Sequence, residues 1–281
     1  MQANSALPPL EDYQRRFVAN VRRIIETNWL RKRPAIRILD MGCDTSGRQI
    51  AHLATLTSGE VTGINISDDF PSPTAMQTGG PRTRLQQMDG TDLKFPDKSF
   101  DLVISANVME HVSNPCQYIS EASRVTRRTG IAYFETSPVW TSARGHHLHA
   151  DMVAENCPLE TAFTDDGSVV PDWSHLTYDR DQMRRQLETH LLPETVNYVL
   201  WFLFDSGDLN KAPWASIRSY LESNFPYTRI KTWETPNTNS ALMPTDNADN
   251  YMAGGFSAVC RKSPQNRLTY RLAWRLRKLG L

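Results

Sequence analysis

Apolar residues near the start of the chain fall at helical spacing. Phe17, Val18, Val21, Ile24, Ile25 and Trp29 share one face, so residues 11–29 are expected to form an amphipathic helix lying against the core. It should stop before Arg31-Lys32-Arg33-Pro34, because proline has no amide proton and restricts the residue before it. Beyond that point short apolar runs at 36–39, 61–64, 102–104 and 131–134 alternate with helical stretches at 50–56 and 116–127. Such alternation is the pattern of βαβ units and a parallel sheet.

After Pro138 the alternation stops, and a stretch rich in His, Asp, Pro and aromatic residues runs to about 227. It is too long for a simple connection in a compact domain, so it reads as an insertion with elements of its own. Helical periodicity returns at 181–192 and at 194–204, where Val196, Val199, Leu200 and Leu203 share a face. Runs at 229–233 and 255–260 read as two closing strands separated by a polar, mobile segment at 236–250. The expected organisation is therefore a core whose first part is 1–137, an insertion at 138–227, closing strands at 228–262 and a final helix at 263–281. In that last helix Leu268, Leu272, Leu276 and Leu279 lie beside a row made of Arg267, Arg271, Arg275 and Lys278. A basic amphipathic helix of this kind packs on its own core or on a second subunit, or touches an anionic membrane surface.

Composition narrows the function classes. Across 281 residues, 31 basic and 31 acidic side chains cancel, which gives no global electrostatic reason to expect a nucleic-acid partner. The first residues lack a basic stretch followed by an apolar run, and no run approaches the roughly 18 apolar residues of a membrane span. Neither a signal peptide nor a span is expected, and the default location is cytoplasmic. Cys43, Cys116, Cys157 and Cys260 are far apart, without zinc-site spacing, and read as reduced thiols.

The densest local signal is the segment 36–47, a strand entering a glycine-bearing turn before a helix. Small residues there let a ligand approach the backbone at a helix N-terminus, although dinucleotide enzymes and plain structural corners share the feature. Three further segments join it. Asp40, Gly42, Cys43 and Thr45 are followed by Asn65 with Ile66 at the end of the second strand, by Asp89, Gly90 and Thr91 within the run 87–101, and by Asn107 and His111 within 102–112. Together, over residues 36–138, they resemble the class I S-adenosylmethionine-dependent methyltransferases, specifically the small-molecule, type 11-like group. Asp44 and Ser46 stand where that family has glycines, and Asn65 stands where it has an acidic residue.

The resemblance implies an α/β, Rossmann-like, mostly parallel seven-stranded sheet with helices on both faces and a largely helical insertion after the fifth strand. It also implies S-adenosyl-L-methionine as cofactor. Asn65 would meet the ribose hydroxyls, Asp89 the adenine amino group, and the loop bearing Asn107 and His111 the methionine end. All four segments lie at carboxyl ends of parallel strands, where open sheets bind ligands.

Methyl transfer mainly requires a nucleophile aligned behind the methyl group and water kept out, with a base where the acceptor must lose a proton. His146 and His147 are the catalytic candidates, hydrogen-bonded loop histidines being the other reading. Trp140, Trp173, His175 and Tyr178 are the acceptor-binding candidates, or else packing residues of the insertion. His146, His147 and His149 with Asp151 make a poor metal set because adjacent side chains converge badly, so no metal is expected. The expected activity is methylation of an oxygen or nitrogen of a small organic molecule, of natural-product or glycan/lipid-precursor type, beneath the 138–227 insertion as a lid. An NAD-dependent enzyme would need further glycines in the first turn. A non-catalytic or degenerate cofactor-binding scaffold stays open, given Asn65 and the altered glycines.

Overall fold

The computed structural model describes residues 7–33, 35–67, 69, 82–157 and 167–264. Among these, seven strands form one sheet: β1 (Ile38–Met41), β2 (Val61–Asn65), β3 (Thr83–Gln87), β4 (Phe100–Ala106), β5 (Thr126–Thr136), β6 (Tyr227–Trp233) and β7 (Gly255–Arg261). Their order is β3-β2-β1-β4-β5-β7-β6, with β1 to β5 parallel and β7 antiparallel to both neighbours. The order reverses between β1 and its neighbour β4, which opens a crevice at the carboxyl ends of those strands.

Each face of the sheet has its own apolar interior. Helix α1 (Asp12–Thr27) and helix α2 (Arg48–Ala54) cover one face, where Phe17, Val21, Ile50 and Leu53 meet Ile38, Val61, Leu102 and Ile131. Helix α3 (Pro115–Val125) and helix α8 (Trp214–Asn224) cover the other, where Ile119, Ala122, Ile217 and Leu221 meet Leu39, Val103, Phe134 and Phe256. Adjacent residues such as Ile38 and Leu39 thus serve opposite layers, as the two-residue period of a strand requires.

Between β5 and β6 lie α4 (Ala150–Ala154), α5 (Ser174–Thr177), α6 (Arg180–Leu187), α7 (Pro193–Phe204) and α8. Leu148, Val153, Val170, Met183, Leu187, Val196, Val199, Leu200 and Leu203 form a third core inside this segment. The expected helix over 181–192 is shorter: α6 ends at Leu187, and Pro193 opens α7 at the first-turn position where its missing N–H costs nothing. The helix expected to reach 127 ends at Val125, because Thr126 already pairs with Phe100 across the sheet before a register shift.

The segment 236–250, expected to be a polar, mobile connection, contains short elements. It holds a 3-10 turn at Ser240–Leu242 and the start of α9 (Ala248–Met252). The segment is tied to the insertion by Arg144 and Asp172, which form a buried ion pair at 3.0 Å. Arg144 donates to the Asn237 carbonyl, and Asp172 accepts from the Asn239 amide. The basic helix expected at 263–281 falls, beyond residue 264, outside the described residues. Among the described residues no helix is long and apolar enough to cross a membrane.

Candidate cofactor and acceptor sites

At the carboxyl ends of β1, β2 and β4, beside the loop after β3, the chain encloses a cavity of about 610 Å³, within the range of small-molecule sites. Gly42, Cys43, Asn65, Ile66, Asp89, Gly90, Thr91, Asn107 and His111 all line it, so the four separate motifs converge. Asp40 does not line it. It is buried behind the wall and accepts a hydrogen bond at 2.8 Å from Gln49, which does reach the cavity. Its second oxygen has no protein partner, and burial pushes the carboxyl up to about 7.

Two glycines keep the cavity open. Gly42 has φ +82°, and a Cβ there would come within 2.3 Å of the Val108 side chain. A Cβ on Gly90 would strike the Tyr118 ring at 2.3 Å. Tyr118 lies beneath the cavity and is locked by its hydroxyl, which donates to the Met41 carbonyl at 2.9 Å. Ile66 is 72% exposed and lines the cavity with its apolar side chain.

The departures from the family pattern have local causes. Asp44 accepts from the amides of Arg48 and Gln49, each at 3.1 Å, and so satisfies the open N–H groups at the start of α2. A dinucleotide would place its pyrophosphate at that helix end. Here a carboxylate occupies it, which repels phosphate and suits a cationic ligand. Asn65 donates to the Cys43 carbonyl at 2.8 Å and accepts from the Ser67 amide at 3.0 Å, bracing one cavity loop against another. Asp89 accepts from the amide and hydroxyl of Thr91 through one oxygen, and its other oxygen has no such bond.

Sequence reasoning missed Tyr13 and Gln14, which bring the first turn of α1 into the cavity wall. Their signal was the capping pair at the helix start, where Gln14 accepts from the Glu11 amide. A cap, however, does not reveal which surface the helix end will touch.

A second cavity, of about 510 Å³, is lined by His111, His147, Met152, Phe202, Gly207 and Asp208, and shares His111 with the first. His147 is in its wall, with its ring edge-on to that of His111 at 5.3 Å between centroids. His147 Nε2 contacts the Pro138 carbonyl at 3.3 Å. A carbonyl only accepts, so the proton is on Nε2 and Nδ1 is bare. Burial, helped by the neighbouring His111, pushes the His147 imidazole down to about 3.

His146 is placed differently from the expectation. It is fully buried and lines neither cavity. Its Nδ1 accepts from the Leu148 amide, and burial holds it well below the usual imidazole range. Trp140, Trp173, His175 and Tyr178 also line neither cavity. His175 donates to the Trp140 carbonyl at 2.8 Å and packs edge-on to both Trp140 and His146. Trp173 is buried, and Tyr178 packs on the insertion's core. The physical reason is shared: the apolar and aromatic surface of these side chains is taken up inside the insertion. Among the described residues no group of three or more His, Cys, Asp or Glu is arranged to hold a metal.

Residues 39–134 match the profile of the methyltransferase domain family. An uncharacterized methyltransferase of Mycolicibacterium gilvum is 38% identical over 90 residues, covering 30% of this chain and 35% of that protein. The chain thus spans about a third of the length of the curated relatives it matches. Among solved structures, the YcgJ protein of Bacillus subtilis shares 14% identity at a TM-score of 0.51, covering 89% of this chain and all of its own. Phosphoethanolamine N-methyltransferase 2 of Haemonchus contortus, solved with S-adenosyl-L-methionine, shares 12% at a TM-score of 0.50, with 87% and 53% covered. At such identities these two structures speak to the fold alone. Residues 39–134 are thus similar to the methyltransferase domain family, and the seven-stranded sheet around them has the fold of the two solved structures.

Proposed function

We propose that the whole protein is an S-adenosylmethionine-dependent methyltransferase acting on an oxygen or nitrogen nucleophile of a small organic molecule, of natural-product or glycan/lipid-precursor type. The observation that carries this reading is the Asp44 carboxylate on the first turn of α2, in a cavity otherwise built like a nucleotide site. That arrangement disfavours a pyrophosphate and favours a nucleoside bearing positive charge. When bound, the cofactor supplies an electrophilic methyl group on a sulfonium, so the chain needs no group to activate it.

In this reading Asp89 accepts from the adenine amino group through its open oxygen, and Asn65 faces the ribose hydroxyls. Ile66 offers apolar surface to the base, and the loop from Asn107 to His111 meets the methionine end. The insertion at 138–227 forms the lid, and the second cavity receives the acceptor. His147 stays neutral and presents a bare Nδ1 as a hydrogen-bond acceptor beside the nucleophile. Calorimetry with S-adenosylmethionine tests the reading directly: the native protein binds it, and Asp89→Ala weakens binding by about 1–3 kcal/mol through loss of a charge-assisted hydrogen bond. Equal affinity in the two proteins removes the adenine assignment, and no binding by either removes the reading.

A further inference from the structure

We infer that His111 is the general base, taking the acceptor's proton at Nε2, and that the cavity beyond it receives an uncharged or cationic acceptor with an O–H or N–H group and an apolar body. The inference rests on the cofactor reading above and extends it to the acceptor.

Position comes first. His111 lines both cavities and is the side chain that their linings share, so its ring can face a group held in either. Its tautomer is fixed as well. Nδ1 lies 3.1 Å from the main-chain oxygen of Asp208, and because a carbonyl only accepts, the proton sits on Nδ1. Nε2 is then the basic nitrogen, its orientation set by a backbone group, the arrangement in which a positioned histidine serves as a base. His147 packs edge-on against the same ring and stays neutral, so it holds His111 in place without competing for the proton.

The walls state the acceptor class. Met152 and Phe202 are partly buried and belong to the apolar insertion, so they offer surface to a ring or chain. Gly207 has φ +73° and open space within 4 Å of where a Cβ would stand, leaving room above the loop. The charged side chain of known sign in this lining is Asp208, a carboxylate that repels an anionic acceptor.

In the step itself, an acceptor lone pair forms the new bond to the methyl carbon. The carbon–sulfur bond breaks with its electron pair passing to sulfur, and the acceptor proton moves to His111 Nε2. The resulting imidazolium keeps its Nδ1–H bond to the Asp208 carbonyl and later releases the proton to water.

The test uses the full chain, 15N-labelled at histidine and saturated with S-adenosylhomocysteine, titrated separately with phenol, benzylamine and benzoate. The His111 spectrum is expected to show an unprotonated Nε2. Phenol and benzylamine should shift that resonance, and benzoate should bind at least tenfold more weakly. Met152→Trp fills the cavity and should weaken the phenol response at least tenfold while S-adenosylhomocysteine affinity, measured by calorimetry, stays within twofold. An unprotonated Nδ1, a benzoate response equal to that of phenol, or a His111 signal indifferent to all three compounds overturns the proposal. Failure of the native chain to bind S-adenosylhomocysteine at all overturns the cofactor reading, and this proposal with it.

Discussion

Gly42 shows how much a single residue decides at the first cavity. Its left-handed backbone and the contact of 2.3 Å that a Cβ would make with Val108 act together, so Gly42→Ala must either strain the turn or push the Asn107 loop aside. The expected outcome is a stability loss of roughly 1–3 kcal/mol in urea unfolding, with weaker binding of S-adenosylhomocysteine. Native affinity at native stability would show that the turn is more compliant than its geometry says. Gly42, Asn65, Asp89 and Asn107 were legible in the sequence because the resemblance to the methyltransferase motifs singled them out, and for Gly42, Asn65 and Asn107 an apolar strand just before each marked the turn. Asp44 was visible as a departure, but its cap on α2 is a three-dimensional contact that no spacing announces. The histidines divide for a similar reason: His146 and His147 are neighbours in sequence, yet the left-handed backbone at His147 turns one ring inward and leaves the other in a cavity wall.

Among the elements, the opposite end of the sheet is held by one carboxylate. Asp101 at the start of β4 is wholly buried, and it pairs with Arg33 and Arg127, each at 2.7 Å, while accepting from the Arg37 amide. It ties the segment before β1 to β4 and β5. Asp101→Ala removes both pairs and the acceptor of the Arg37 amide, and because Arg33 and Arg127 stay in contact with water the cost is about 1–3 kcal/mol. Chemical denaturation measures it. Arg33→Ala should cost less, because Arg33 is half exposed and Arg127 remains. Strands β1, β2, β4 and β5 were legible as apolar runs because both their faces are covered. Strand β3 was not, since Thr83–Gln87 is a polar, half-exposed edge strand whose only apolar residue is Leu85. In α7, Leu200 is fully buried in the insertion's core, and Leu200→Ala should cost roughly 2–5 kcal/mol. Cofactor affinity should be retained, because the two cores on the sheet are untouched.

For the molecule as a whole, buried titratable groups set opposing pH responses. His147 and His175 are held down at about 3 and about 4, so the unfolded chain binds more protons below its ordinary imidazole value of 6.5, and stability falls as the pH drops from about 6.5 toward 4. Asp40 and Glu110 are pushed up by burial to about 7 and about 8. Their contribution is complete below the unfolded carboxyl values and is lost as the pH rises through the folded ones. Their loss begins near the unfolded carboxyl values, so below pH 6.5 it offsets the histidines, while between pH 7 and 8 the decline comes mainly from Glu110, at up to about 1.4 kcal/mol per pH unit. Glu110→Gln should flatten that decline in a pH series of thermal or urea unfolding, and an unchanged slope would remove Glu110 from the account.

The insertion's separate interior has a consequence for how such a chain diversifies. Because Met152, Phe202, Gly207 and Asp208 all belong to one stretch with its own packing, a transplanted or drifting version of that stretch would, on the function proposed above, bring a new appetite for substrates while the residues around the first cavity, His111 included, are inherited unchanged.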